Sequence, residues 1–539
     1  MPLRDVTPLK AAYRRAGVWQ DEPLFSIVDR HAEVHPDKIA LIDQQRSFTY
    51  SEAVQASRRL ARWLVSLDLD DGAVVACQTP STVLLAIVHL ACNRANLICL
   101  PLSDGFRRRE LHHLLQSSRA AVAFVPASDD DRDRYTLVDE LGSELPDLRV
   151  LGAFSGSADI SLPELIARGP AKDIRRTTDP DLPRHAMITS GTTALSRISL
   201  WSDNNLWALL STFRDYVHLG PGDTALGLAP ANGGSTGYVF PVLAPLLFGA
   251  SSVLLQRWDT DAAISLFGKV RPTVATAIPT QIVQLLTQPD VFAEAARGLR
   301  AFNNAGAPLP PEAAQRTEEL LGCRIQTSYG ASDGGVPTMT TIDDPPDKRA
   351  RTVGRPLAET EVRLVDGNLQ QIPKGEAGEV LWRTPTKSFG YLNNPEHDAR
   401  SFWEDGWYRS GDLGSFDDDG YLQIVGRSKD MILRGGRNIS PVEIEDLLIR
   451  SPLVDDVAIV GVADEMYGER VCACIVSAAG AQPTLDDLVE FLRDQGAESF
   501  KLPERVERFD ALPRNVGEKV DKKALLAQIE NRSVTKGAP

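Results

Sequence analysis

Residues 49–90 read TYSEAVQASRRLARWLVSLDLDDGAVVACQTPSTVLLAIVHL, and their periodicity changes twice. Thr49 and Glu52 have capping-box spacing, in which each side chain satisfies a backbone N–H at a helix start. Ala53, Ala56, Leu60, Leu64 and Leu67 then recur at helical intervals and predict an amphipathic helix. Val74–Cys77 is a continuous apolar run that reads as a buried strand, after which Leu84, Ile87 and Leu90 resume helical spacing. The alternation returns downstream. VLL at 253–255 and VATAI at 274–278 read as strands, and Pro279 suits the first turn of the next helix, where its missing N–H has no helical partner. Over about the first 430 residues this order predicts a large N-terminal α/β domain with substantial parallel sheet.

The scale changes toward the C-terminus. DVAIVGV (456–462) and VCACIV (471–476) read as strands, and a helix begins at Thr484, with Asp487 in the capping position, and runs to about Gln495. These elements predict a smaller α+β C-terminal domain, with the polar stretch Gly426-Arg427-Ser428-Lys429-Asp430 as the boundary.

At 539 residues the chain is too long for one ordinary core, and 43% hydrophobic with 24% charged residues is a globular composition. A formal net charge of -15 argues against a general nucleic-acid binder, which needs a basic surface, but leaves room for small anions held by local loops. MPLRDVTPLKAAYRR has no apolar core of signal-peptide type. The apolar run Tyr238–Leu255 contains Pro241, Pro245 and Gly249 and lacks a basic flank, so it reads as a buried helix followed by a strand, not a membrane span. The six cysteines form no C-x-x-C pair and no metal-ligand spacing with the eight histidines. A cytoplasmic protein without structural metal is expected. Cys472 and Cys474, two apart on a strand, share a face expected to be a core face.

Six segments carry chemistry-bearing residues. Thr189-Ser190-Gly191-Thr192-Thr193 follows the apolar Met187-Ile188, so its N–H and O–H groups can converge on an anion, and Arg197 adds charge. Alone it would also suit an ordinary Ser/Thr turn, and the lysine-bearing phosphate loop G-x-x-x-x-G-K-[ST] is absent. Tyr329-Gly330-Ala331-Ser332-Asp333 offers a ring for stacking, a glycine, a hydroxyl and a carboxylate. Tyr408-Arg409-Ser410-Gly411-Asp412 is read as a turn bearing a second carboxylate. Gly426-Arg427 and Gly435-Gly436-Arg437-Asn438-Ile439 flank the boundary, and Lys519 lies in the glycine-containing loop PRNVGEKVDK (513–522).

In this order these segments, with GEAGEV (375–380) and GYLNNPE (390–396), resemble the adenylate-forming superfamily of acyl- and aryl-CoA synthetases, peptide-synthetase adenylation domains and firefly-type luciferases. The resemblance runs from about Leu24 to Leu525. MILRGGRNISPVEIEDLL and VGVADEMYGERV look most like CoA ligases for alicyclic, aromatic or medium-chain acids, and a secondary-metabolite ligase for a terpenoid acid, as in platensimycin-type pathways, also fits.

The resemblance implies ATP, Mg2+ and coenzyme A as cofactors and co-substrates, with AMP released. Thr189, Ser190, Gly191, Thr192 and Thr193 would wrap phosphates, with Arg197 beside them. Tyr329 and Gly330 would meet adenine, with Asn304, Ala305 and Gly306 lining the slot. Ser332 would touch the α-phosphate, Asp333 would help hold Mg2+, and Asp412 would accept the ribose hydroxyls. Arg427 and Lys519 would be the catalytic cations, Lys519 bridging the substrate carboxylate and phosphate. Lys429 would be the hinge between a 1–428 AMP-binding domain and a mobile 429–539 domain, which brings Gly435 and Gly436 to the CoA tunnel. Asn232, Gly233, Gly234, Gly306 and Ala331 would line the acyl pocket.

Four departures from the family pattern stand out. After the phosphate loop, Ala194-Leu195-Ser196-Arg197-Ile198 replaces the usual Gly-x-Pro-Lys-Gly. Asp333 stands where Glu is usual, and Gly517-Glu518 places a carboxylate beside Lys519. Pro230-Ala231-Asn232-Gly233-Gly234 occupies a position where relatives carry His or aromatic residues, favouring a bulky apolar acid. The first three touch only the ATP-dependent half-reaction, which leaves two readings open. One is full two-step ligation of a free carboxylic acid; the other is thioesterification of an acyl-AMP supplied by a partner ligase. A stand-alone adenylation enzyme feeding a carrier protein and a non-catalytic acyl-AMP binder are further alternatives; no nucleic acid or membrane partner is expected.

Overall fold

In the computed structural model the capping box at Thr49 is formed: Thr49 Oγ1 accepts from the Glu52 N–H at 3.2 Å and Glu52 Oε2 from the Thr49 N–H at 2.8 Å. The structure describes residues 7–127, 133–155, 158–172, 174, 178–189, 196–231, 234–427, 430–434, 437–464, 467–514 and 520–536. The helix that Thr49 opens, Tyr50–Ser66, buries Ala53, Ala56, Leu60 and Leu64, the residues its spacing marked. The strand Val74–Thr79 is buried at every position between parallel neighbours Ile98–Ser103 and Ala120–Pro126, and every residue of the helix Leu84–Arg94 is buried. Burial on both faces is what a continuous apolar strand requires.

The chain divides into two compact units, Met1–Val362 with Trp382–Arg409, and Arg363–Leu381 with Ser410–Pro539. The first is α/β. One of its sheets has six strands, with Val150–Ser155, Ala120–Pro126, Val74–Thr79, Ile98–Ser103 and Pro183–Thr189 parallel and Arg197–Ser202 closing the edge antiparallel. The other has nine strands, parallel from Ile39–Ile42 through Ser251–Leu254, Thr224–Gly227, Val274–Ala277 and Ala301–Ala305 to Arg324–Ala331. Antiparallel strands flank that run, and Pro279 opens the helix Pro279–Leu285 as its spacing predicted.

The apolar run near Tyr238 is a buried helix followed by a strand, as expected, but the helix is not of regular α type. Ser235–Leu243 is a π-helix with Pro241 inside it, followed by the single α-turn Ala244–Leu247 and the strand Ser251–Leu254. Proline cannot donate to the carbonyl four residues back and its ring crowds that group, and the wider turn shifts donors one residue further, as in Val239 N–H to Gly234 O at 3.2 Å. Apolar spacing does not report hydrogen-bond register. Among the described residues no helix is long and apolar enough to cross a membrane.

The second unit is smaller and α+β. Val454–Asp464 and Gly468–Ser477 pair antiparallel, with Arg505–Arg508 parallel to the latter, and the helices Pro441–Leu448, Leu485–Asp494 and Lys522–Lys536 accompany them. Cys472 and Cys474 are fully buried beside Ala458, Val460 and Leu525. The Thr484–Asp487 capping box is present.

Candidate active site

The strand Arg324–Ala331 lies parallel to Ala301–Ala305 and turns back into the antiparallel strand Gly335–Met339. Four side-chain donors fix three carbonyls of that turn. Ser332 O accepts from Ser199 Oγ at 2.7 Å and from Trp201 Nε1 at 2.9 Å; Asp333 O accepts from Ser388 Oγ; Gly334 O accepts from Trp382 Nε1 at 2.7 Å. Gly330 is required by close approach, since a Cβ there would lie 2.3 Å from Gly335 O. The turn presenting Ser332 and Asp333 is thus held from outside and not by its own chain alone.

Asp333 is 7% exposed and its two carboxylate oxygens face two phenols. Tyr391 OH donates to Oδ2, and Tyr408 OH donates to Oδ1 at 2.8 Å. Burial first, and then the Asp333 carboxylate, push the Tyr391 phenol well above the usual tyrosine range, so it stays a donor. The Arg197 guanidinium stands 5.0 Å from the Tyr391 ring centroid. His397 meets the same ring edge-on at 5.7 Å, its pKa lowered by burial and by Arg197.

This donor set does not fit Mg2+ at Asp333. The ion demands an octahedron of oxygens, with one or two carboxylates facing it beside phosphate and water. Here the single carboxylate is buried with an oxygen on each phenol.

Beside this turn, polar groups are left without protein partners. Asn304, fully buried at the carboxyl end of Ala301–Ala305, has no hydrogen-bond partner for Nδ2 or Oδ1 among the described residues. Its neighbour Asn303 is the opposite case, donating to Gln326 Oε1 and to Ser328 Oγ at 3.1 Å. Ala305 is buried, while Gly306 is exposed at φ +91° near Thr236 and Ile278. Tyr329 is half-buried and meets Trp382 edge-on at 5.7 Å. On the other sheet, Thr189 ends Pro183–Thr189, pairs with Arg197 on the antiparallel strand, and has a buried hydroxyl without a partner among the described residues. Buried polar atoms are normally satisfied, so such orphans at the carboxyl ends of parallel strands are where a polar ligand is expected. Gly234 opens the π-helix and Ala331 ends its strand half-buried.

Asp412 and Arg427 belong to the second unit, where Arg427 Nε donates to Asp412 Oδ1 at 3.1 Å. The predicted turn at 408–412 is instead part of the strand Tyr408–Phe416, in which Asp412 lies directly across from Arg427 on Leu422–Arg427. Ladder pairing overrides the turn preference of Ser-Gly-Asp, with Gly411 absorbing a positive φ of 72°. Ser190, Gly191, Thr192, Thr193, Asn232, Gly233, Lys429, Gly435, Gly436 and Lys519 lie outside the described residues.

Sequence reasoning missed the supports. Tyr391 and Tyr408 sit inside GYLNNPE and YRSGD, yet of these segments only Asp412 attracted a role. Ser199 and Trp201 alternate with Arg197 on one strand face, a signal that was legible. Ser388 and Trp382 carry none, because their partners are backbone carbonyls about fifty residues away.

The two parallel-stranded sheets of the first unit and the smaller α+β second unit are the architecture expected of an adenylate-forming enzyme, and the comparisons with known proteins identify the family. The AMP-binding enzyme family matches residues 28–392 and the AMP-binding enzyme C-terminal domain matches residues 443–519; the chain belongs to this family. It is an AMP-forming ligase of the class that contains the acyl-CoA synthetases. It is 32% identical over 529 residues to the medium-chain fatty-acid–CoA ligase of Escherichia coli (strain K12), covering 97% of this chain and 93% of that relative. Identity is 31% over 538 residues to the 2-hydroxy-7-methoxy-5-methyl-1-naphthoate–CoA ligase of Streptomyces carzinostaticus, covering 97% and 96%. Among solved structures, ATP-bound MatB from Rhodopseudomonas palustris superposes with a TM-score of 0.86 at 27% identity, covering 94% of this chain and 99% of that one.

Proposed function

We propose that the protein converts a bulky apolar carboxylic acid to its CoA thioester through an acyl-adenylate. The observation that carries the nucleotide half is Asn304, a buried amide with neither polar atom partnered among the described residues, near Tyr329 and the open Gly306. An amide donates and accepts at once, which suits the edge of an adenine base stacked on Tyr329.

In the first step a carboxylate oxygen of the acid attacks the α-phosphorus of ATP and pyrophosphate leaves. In the second the thiol sulfur of CoA attacks the acyl carbon, AMP leaves and the thiol proton is lost. No covalent enzyme intermediate forms, so the protein's contribution is positioning and fixed positive charge. Thr189–Thr193 and Arg197 serve the phosphates, Ser332 the α-phosphate, and Lys519 the carboxylate–phosphate pair. Asp412, with Arg427 on its Oδ1, serves the ribose. Lys429 is the hinge between 1–428 and 429–539, and Gly435 and Gly436 pass the pantetheine. Asn232, Gly233, Gly234, Gly306 and Ala331 line the acyl pocket. The named substrates of the two relatives, a medium-chain fatty acid and a substituted naphthoate, support an apolar acid.

The test runs two routes in parallel: free acid with ATP and CoA, and pre-made acyl-AMP with CoA, across alicyclic, aromatic and medium-chain acids. Thioester from both routes is the expected result. Thioester from acyl-AMP alone establishes the half-reaction fed by a partner ligase. No thioester from either route, with acyl-AMP bound, removes the ligase reading.

A further inference from the structure

Two departures from the family pattern, Asp333 for glutamate and Arg197 for lysine, lie far apart in sequence and meet on one ring. Arg197, Ser199 and Trp201 alternate along the edge strand, so they share a face. Residues 389–392 extend the pairing of that strand: the Leu200 N–H donates to Gly390 O at 3.0 Å and the Leu392 N–H to Ile198 O at 2.8 Å. That register sets Tyr391 opposite Ser199, brings the Arg197 guanidinium over its ring and turns its hydroxyl onto Asp333. The second phenol on Asp333, Tyr408, packs against Trp382 at 4.7 Å, and Trp382 in turn meets Tyr329. One carboxylate therefore connects the ring offered to the base with the cation offered to the phosphates.

We propose that Asp333 is a positioning residue and not a metal ligand: its carboxylate locks Tyr391 and Tyr408, and through the Tyr391 ring it holds the Arg197 guanidinium in place. The inference rests on the adenylation reading above. Side-chain length and shape both support it. A glutamate is one methylene longer and would either press into the two phenols or swing out of reach of one. A planar guanidinium covers a ring face, whereas a lysine ammonium is a compact point charge. Two of the three departures counted against adenylation in the sequence thereby become parts of one device, each suited to the other.

The experiment is ATP–pyrophosphate exchange with an activated acid while Mg2+ is varied. Asp333→Asn and Tyr391→Phe should each lower kcat about 10- to 100-fold, the usual cost of losing a group that orients an active-site residue. Their Mg2+ half-saturation should stay within about twofold of wild type, and the double variant should be no worse than the poorer single one. Asp333→Glu, which restores the family residue, should also lose activity. Unchanged exchange in Asp333→Asn overturns the proposal. So does a tenfold or larger rise in Mg2+ half-saturation seen in Asp333→Asn and not in Tyr391→Phe, or an Asp333→Glu variant that matches wild type at lower Mg2+. If wild type exchanges with no acid, the adenylation reading fails instead. The inference is then read from wild-type crystals soaked in Mn2+. Anomalous density on the Asp333 carboxylate overturns it, and a metal-free carboxylate holding both phenols upholds it.

Discussion

Asp203 opens the helix Asp203–Val217 with a fully buried carboxylate, accepting from Asn93 Nδ2 at 2.7 and 2.9 Å and from the Leu24 N–H at 3.2 Å. Burial pushes its carboxyl up to about 6 against these hydrogen bonds. The folded value lies above the unfolded one, so the fold holds this proton more tightly than the unfolded chain. The resulting stabilisation is complete below about pH 4 and is lost as pH rises through about 6, a change of roughly 3 kcal/mol. Asp203→Asn should abolish it, and Asn93 Oδ1, which has no partner among the described residues, can accept from the new amide. The melting temperature of the variant relative to wild type should therefore rise between about pH 4.5 and 7.5. A difference that stays flat across that range would show that Asp203 does not titrate there. None of this was legible in the sequence, because the partners of Asp203, Asn93 and the Leu24 N–H, lie 110 and 179 residues away.

At the scale of elements, the π-helix Ser235–Leu243 follows directly on Gly234. It approaches the preceding chain so closely that a Cβ on Gly237 would fall 1.8 Å from Pro230 O. Backbone cannot yield as a side-chain tip can, so Gly237→Ala should cost on the order of 4 kcal/mol, read as a fall in the denaturant midpoint. By contrast Thr49→Ala, which removes only a cap, should cost about 1 kcal/mol. A Gly237→Ala loss no larger than that of Thr49→Ala would mean that the close approach is not made. The two elements also differ in legibility. The Thr49 helix could be read because its cap and its apolar stripe are local. The π-helix could not, because Pro241 changes the hydrogen-bond register without changing the apolar pattern.

At the scale of the whole molecule, each unit has its own apolar core, one built around residues such as Leu60, Val75 and Leu209, another around Ile459, Val471 and Leu488. Separate cores predict separate cooperative transitions. Leu488→Ala, a fully buried leucine on Leu485–Asp494, should cost about 2–5 kcal/mol and shift only one of two calorimetric transitions. A single transition that moves as a whole would show that the two cores melt together.

What the sequence determined by itself was local or strongly patterned: the alternating α/β order, the capping boxes at Thr49 and Thr484, the paired core cysteines, and the motif series that identifies the family. Those features depend on neighbours within a few residues or on ordered motifs, and both survive in one dimension. The environment of each site residue was decided only by the tertiary structure. Asp333 meets phenols from positions 391 and 408, Arg197 rests on one of those rings, and Asp412 sits in a ladder opposite Arg427. A carboxylate's role follows from which donors converge on it, and that convergence is made by strand register between segments distant in sequence.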